Sequence, residues 1–88
     1  MMYKVVLSEK AVRSLKKMDK SVAKLIMSWL KKNLENCIDP RLQGKPLVGS
    51  NRDKWRYRVG DYRILAKIED EKLVILVVEV GHRKNIYS

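Results

Sequence analysis

Three arginines lie in two neighbouring segments that have the composition of β-strands. Arg56 and Arg58 alternate with apolar residues over 55–59, and Arg63 follows the Gly60-Asp61 pair. Because side chains alternate between the two faces of a strand and a Gly-first pair favours a tight hairpin, we expect Arg58 to lie opposite Arg63. Like charges in that position destabilise a sheet unless an anion lies between them. Guanidinium groups suit phosphate, so the pattern favours a phosphate clamp over a solvated face relieved by nearby Asp or Glu.

A second group of polar residues follows the long apolar segment that ends at Val80. His82, Arg83 and Tyr87 are expected to reach the same surface as the arginines, because this segment should pair with the strand that carries Arg63. His82 is the only histidine in the chain, and histidine is the side chain that most readily exchanges protons near neutral pH. Each residue also has an ordinary structural interpretation: His82 as a packing residue, Arg83 as surface charge and Tyr87 as a packing residue of the chain end.

Together these residues predict metal-independent cleavage of RNA. In that reaction the 2′-hydroxyl attacks the neighbouring phosphate, a base and an acid move protons, and cations hold the charge of the phosphorane. Arginine can perform only the last task, so proton transfer is expected from His82, Tyr87 or a lysine such as Lys54. No pair of carboxylates and no Cys/His cluster with metal spacing is visible, so neither a metal nor a cofactor is expected. The residues expected to bind RNA are Lys54, Arg56, Arg58 and Lys84.

Composition is consistent with a polyanionic partner. The chain has 88 residues, with 20 Lys and Arg against 10 Asp and Glu, a net charge of +10. Such an excess attracts polyanions, although a solvated basic surface is the alternative. The length indicates a single domain over 1–88. The single cysteine excludes an intrachain disulfide and suits a reducing cytoplasm, and the longest apolar run, 73–78, is too short to span a bilayer. We therefore expect a cytoplasmic protein with no membrane partner.

The pattern of apolar residues predicts the order βααβββ. Strands are expected over 3–7, 54–59, 62–68 and 73–80, with helices that begin after Ser8 and Asp19 and the second ending near Asn36. The second helix has an apolar stripe formed by Val22, Leu25, Ile26, Trp29, Leu30 and Leu34, with Ala23 and Met27 beside them. Gly44-Lys45 has the wrong spacing for a phosphate loop, and segment 40–53 is expected to be irregular. The predicted fold is α+β: an antiparallel helical pair packed on a twisted, mainly antiparallel four-stranded sheet, with a short C-terminal tail.

The sequence resembles the RelE/ParE superfamily of toxins from type II toxin–antitoxin pairs over essentially its full length. The resemblance is carried by Leu42-Gln43-Gly44, by the segment 55–64 and by the segment 80–87. It implies the activity of the RelE branch, whose members cut mRNA in the ribosomal A site. It also implies a cytoplasmic location in a bacterium or archaeon. A further implication is an acidic RelB-like antitoxin, and the toxin would bind operator DNA only through this antitoxin.

The same resemblance implies roles for individual residues. Arg63 and Arg83 would hold the scissile phosphate, and Tyr87 would orient or stack on the cleaved nucleotide. Arg56 and Arg58 stand where the best-known RelE has lysines linked to proton transfer. Because of this difference, His82 becomes a stronger candidate for proton transfer. Two other functions fit the superfamily: a ParE-like toxin that poisons DNA gyrase without cutting RNA, and a catalytically inactive module that binds an antitoxin.

Overall fold

Two helices pack on one face of a mixed five-stranded sheet. The computed structural model describes residues 2–47 and 54–82. The elements are β1 (Lys4–Leu7), α1 (Glu9–Lys17), α2 (Lys20–Asn33), β2 (Lys45–Pro46), β3 (Trp55–Val59), β4 (Tyr62–Glu69) and β5 (Val74–His82). The strand order is β1-β5-β4-β3-β2, with β1 parallel to β5 and every other pair antiparallel. The predicted α+β class is confirmed.

The structure has one strand more than the sequence predicted. The two-residue strand β2 lies within the segment that was expected to be irregular, and it pairs with β3 through Lys45 opposite Arg56 and Pro46 opposite Trp55. Pro46 is tolerated there because β2 is an edge strand, where a residue without a backbone N–H leaves no central hydrogen bond unmade. The backbone N–H of Leu47 donates to the carbonyl of Lys54 at 3.0 Å and extends this pairing.

Both helices begin at the predicted residues. Ser8 caps α1, since its Oγ accepts a hydrogen bond from the backbone N–H of Ala11 at 3.0 Å and donates one to the carbonyl of Val78 at 2.9 Å. Asp19 takes the N-cap position of α2 without a side-chain hydrogen bond. The helix ends at Asn33, before the predicted Asn36, which adopts a positive φ of 65°.

The core lies between the helices and one face of the sheet. Its fully buried side chains include Ile26 and Leu30 of α2 and Tyr57, Ile64 and Ile75 of the strands. Each such side chain contributes about 1.5–3 kcal/mol by leaving water. The predicted stripe of α2 is only partly correct, because Leu25 is 56% exposed and Met27 is 42% exposed.

A β-bulge in β5 changes which of its residues face the helices. Leu65 pairs with Glu79 while the next residue, Ala66, pairs with Val77, so Val78 is the extra residue. Val77 and Val80 are therefore both buried in the core although they are three residues apart. In an unbroken strand they would point to opposite faces. Because of the bulge, each β5 side chain that follows it lies on the opposite face of the sheet from the one it would occupy in an unbroken strand.

Candidate functional site

The hairpin of β3 and β4 brings the arginines together as predicted. Arg58 lies directly opposite Arg63, and Val59 lies opposite Tyr62, on either side of a two-residue loop. Gly60 enters that loop with a positive φ of 59°, which glycine adopts without steric cost. The sequence-based prediction of two guanidinium groups in direct cross-strand register is therefore confirmed.

Alternation along β3 separates the arginines from the core. Tyr57 and Val59 are buried against the helices, whereas Arg58 is exposed and Arg56 is half-buried on the opposite face. We call this opposite side, which carries Arg56, Arg58 and Arg63, the arginine face. Leu65, the register partner of Arg56, is buried yet lies outside the core cluster. The arginine face thus includes one buried apolar residue, Leu65.

Arg63 carries a buried side-chain nitrogen that bears on the chemistry of the site. Its side chain is half-buried, and its Nη1 is the one buried side-chain nitrogen or oxygen in the described part of the chain that lacks a hydrogen-bond partner. A buried donor left in this state costs about 1–3 kcal/mol. An anionic oxygen would satisfy it with a charge-assisted hydrogen bond, which is about twice as strong as a neutral one. An anionic acceptor is therefore the kind of group that would remove this cost.

A cavity of about 400 Å³ opens beside these arginines. This volume lies within the range of about 300–1,000 Å³ that is usual for small-molecule sites. Of the described residues, those lining the cavity are Trp29, Gln43, Gly44, Lys45, Arg56, Arg58 and Arg63. Four of these described lining residues are cations and none is a carboxylate. Such a cavity favours a compact anion such as a phosphodiester.

The segment 43–45 forms the wall of the cavity nearest the sheet edge, and three contacts fix it. The indole Nε1 of Trp55 donates to the carbonyl of Gln43 at 2.6 Å, and the Gln43 side-chain amide donates to Asn33 Oδ1 at 3.2 Å. Gly44 has a φ of 78°, and a Cβ at this position would overlap the carbonyl oxygen of Arg56. Only glycine allows the backbone to approach β3 so closely, and this approach carries Lys45 to the cavity.

Hydrogen bonds also hold the residues that precede segment 43–45 in the chain. The hydroxyl of Tyr57 donates to the carbonyl of Pro40 at 2.7 Å. Arg41 forms two hydrogen bonds with Asp70, at 3.0 and 2.9 Å, and the hydroxyl of Tyr3 donates to the same carboxylate at 2.6 Å. The Arg41 guanidinium and then the Tyr3 hydroxyl lower the pKa of Asp70 to about 2. This cluster ties the chain start and the β4–β5 turn to the segment that leads into the cavity.

His82 does not join the arginine face, contrary to the sequence-based prediction. It pairs with Tyr62, while the preceding Gly81 pairs with Arg63, so the His82 side chain projects from the face opposite Arg63. Its ring meets that of Tyr62 edge-on, with centroids 5.4 Å apart. The bulge at Val78 is the cause, because unbroken alternation from Val77 would have turned His82 toward the arginines.

Three other predicted site residues, Arg83, Lys84 and Tyr87, lie outside the described residues, and their roles stay predictions. Lys54 lies immediately before β3, and it is not one of the described residues that line the cavity.

The sequence-based reasoning missed four residues of the cavity lining: Gln43, Gly44, Lys45 and Trp29. Trp29 belongs to the predicted apolar stripe of α2, and it contacts the ring of Tyr57 at a centroid distance of 5.6 Å while also lining the cavity. Gln43 and Gly44 carry the family resemblance, so that motif was the available signal for this wall. Lys45 offered no signal, because a Gly-Lys-Pro segment is typical of irregular chain.

Two further properties bear on the class of site. Within 2–47 and 54–82, no three His, Cys, Asp or Glu residues are grouped so that they could hold a metal ion. None of the helices in this part of the chain is long and apolar enough to cross a membrane.

Comparison with known proteins gives consistent matches. The family model described as the ParE toxin of the type II toxin–antitoxin system parDE matches residues 5–87. A RelE-like toxin protein of Escherichia coli is 32% identical over 85 residues, which cover 96% of this chain and 86% of that protein.

Solved structures agree with the fold. The toxin–antitoxin complex RelBE2 of Mycobacterium tuberculosis contains a chain that superposes with a TM-score of 0.85 at 27% identity, covering 97% of this chain and 95% of that one. The isolated RelE toxin of E. coli superposes with a TM-score of 0.72 at 26% identity, covering 97% of this chain and 90% of that one.

Proposed function

This chain belongs to the ParE toxin family of type II toxin–antitoxin systems, and we propose that it acts as a ribosome-dependent endoribonuclease that cuts mRNA and so stops translation. The observation that carries this proposal is the cavity beside β3 and β4. It is lined by four cations and no carboxylate among the described residues. One of these lining residues, Arg63, also has a buried nitrogen that lacks a partner within the described chain. A phosphodiester supplies both the negative charge and the acceptor oxygen that this arrangement requires.

The chemistry follows from what guanidinium groups can do. The 2′-oxygen of the target nucleotide attacks the adjacent phosphorus, which gives a 2′,3′-cyclic phosphate and releases the 5′-oxygen of the next nucleotide. Arg58 and Arg63, in direct register, hold the phosphate between them and stabilise the negative charge of the phosphorane, with Arg56 beside them. One well-placed donor of this kind is worth about 10²–10³ in rate. The resemblance to RelE implies that Arg83 binds the phosphate and that Tyr87 orients or stacks on the cleaved nucleotide.

The placement of His82 argues against a direct part in this reaction. Its ring packs on Tyr62 and projects from the face opposite Arg63. We therefore assign proton transfer to other residues than His82, in contrast to the expectation from sequence.

The basic helices offer a surface for ribosomal RNA. Exposed cations on α1 and α2 face away from the core, and a charged surface of this kind attracts RNA phosphates without sequence preference. The residues are Lys10, Arg13, Lys16, Lys17, Lys20, Lys24, Lys31 and Lys32.

Regulation by an antitoxin is the second part of the proposal. The similar chain from M. tuberculosis was solved as a toxin–antitoxin complex. By analogy, this chain would bind an acidic antitoxin, meet operator DNA only through it, and act in the cytoplasm of a bacterium or archaeon. With a net charge of +10, it favours an acidic partner over a basic one.

A second candidate function is poisoning of DNA gyrase, since the matching family model is described by the ParE toxin. Toeprinting of a translating ribosome distinguishes the two. We expect the wild-type chain to produce new 3′ ends within the A-site codon, Arg63→Ala to produce none, and the control Lys67→Ala, at an exposed position of β4 outside the cavity, to match the wild type. Growth arrest with gyrase-dependent DNA breaks and intact mRNA would refute the nuclease proposal and establish the second candidate.

A further inference from the structure

The side chains that line the cavity differ sharply in their ability to move a proton. Arginine stays protonated in proteins, the tryptophan indole is only a donor, and the glutamine amide does not ionise. Among the described lining residues, which are Trp29, Gln43, Gly44, Lys45, Arg56, Arg58 and Arg63, one remains. Lys45 has an ammonium group that can release a proton and recover it. The cleavage reaction needs such a group at the leaving 5′-oxygen.

The sheet places Lys45 on the same face as the arginines. In the β2–β3 register Lys45 is the partner of Arg56, and paired residues project from the same face of a sheet. Lys45 is therefore on the arginine face, one strand away from Arg58 and two strands away from Arg63. Its side chain is exposed, so the amine can recover a proton from water after each reaction.

The position of Lys45 is fixed although β2 has only two residues. The hydrogen bond from Trp55 to the carbonyl of Gln43 lies two residues before it, and the one from the Leu47 N–H to Lys54 lies two residues after it. The tight approach of Gly44 to β3 adds a steric constraint immediately before it. A lysine on an otherwise unconstrained loop would lack this backbone support.

We propose that Lys45 is the general acid of the cleavage reaction, an inference that rests on the proposed nuclease function. As the bond from phosphorus to the 5′-oxygen breaks, the Lys45 ammonium gives its proton to that oxygen and becomes a neutral amine. The 2′-hydroxyl proton leaves to water, and the amine takes a proton back from water after the products separate. No metal, oxidant or further reactant is needed for atoms and charges to balance.

The test compares two leaving groups in single-turnover cleavage on programmed ribosomes. One mRNA carries the natural 5′-oxygen at the cleaved bond, and the other carries a bridging 5′-sulfur, a leaving group that needs no proton. Lys45→Arg keeps the positive charge but cannot act as an acid, and Lys67→Arg, at an exposed position of β4 outside the cavity, is the matched control. Thermal unfolding and ribosome affinity are measured for each variant.

The proposal predicts a loss that depends on the leaving group. Lys45→Arg should cleave the natural mRNA roughly 10²-fold more slowly, within the usual range for general acid catalysis, and the sulfur-containing mRNA within about threefold of the wild-type rate. Natural mRNA cut by Lys45→Arg at the wild-type rate would show that charge alone suffices and would overturn the assignment. An equal defect on both substrates would also overturn it. A wild-type chain that cuts neither substrate would refute the proposed function itself, and with it any role for Lys45.

Discussion

Arg63 offers a test in which stability and activity change in opposite directions. Its Nη1 is buried without a hydrogen-bond partner in the described chain, and Arg63 is the direct cross-strand partner of Arg58 in the hairpin. Replacing Arg63 with methionine keeps an unbranched apolar stem that can pack in the same place. The same change removes the unpartnered donor and one of the two opposed charges.

The magnitude follows from two terms. Removing the buried unsatisfied donor is worth about 1–3 kcal/mol, and removing the like-charge pair is worth about 0.2–1 kcal/mol. Arg63→Met should therefore raise the free energy of unfolding by about 1–4 kcal/mol. In a domain of this size each 1 kcal/mol raises the Tm by about 4–8 °C. Arg58→Met is the control, because Arg58 is exposed and only the charge term applies to it.

Activity should fall while stability rises. Loss of one donor to the phosphorane lowers the single-turnover cleavage rate by about 10²–10³-fold. Unfolding is measured in buffer free of phosphate and sulfate, because an anion bound by the wild type would stabilise it and hide the difference. If Arg63→Met unfolds more easily than the wild type, the arginine serves the fold, and the interpretation of its free nitrogen as an anion site is wrong.

Two further predictions concern the supports of the site. Gly44→Ala should destabilise the domain more than Gly60→Ala does in urea unfolding. Both glycines have positive φ, but only at Gly44 would a Cβ overlap neighbouring atoms; equal losses would show that this close approach is not needed. The second prediction concerns Asp70, whose folded pKa of about 2 lies below its ordinary value of 3.8 because of Arg41 and then Tyr3. Its contribution to stability is complete above about pH 4 and is lost as the pH falls toward 2. Asp70→Asn should therefore unfold with a weaker pH dependence between pH 4 and 2, and an unchanged slope would contradict this assignment.

Local rules were sufficient to predict the hairpin half of the site. A two-residue loop with glycine first, together with the alternation of strand side chains, predicts Arg58 opposite Arg63, which is the register in the structure. No long-range information was needed, because the two arginines are five residues apart and a single turn determines their register.

The positions of His82 and Lys45 depend on features that the sequence hardly indicates. Residues 77–80 are apolar apart from Glu79, so the sequence gives no sign of a bulge at Val78, and a shift of one residue moved His82 to the opposite face. Lys45 reaches the cavity through a two-residue edge strand that contains a proline and is held by contacts far away in sequence, such as the Trp55 indole. Side-chain periodicity cannot reveal a strand this short.

The central claim is that the cavity beside β3 and β4 binds the RNA phosphate that is cut. The direct measurement is a cryo-EM structure of the chain on a programmed ribosome whose A-site codon has a 2′-deoxy nucleotide at the reactive position, so that the bond stays intact. The account predicts a phosphate oxygen about 2.7–2.9 Å from Arg63 Nη1, with Arg58 and Lys45 contacting the same phosphodiester. A scissile phosphate bound on another surface, with Arg63 Nη1 still without a partner, would contradict it.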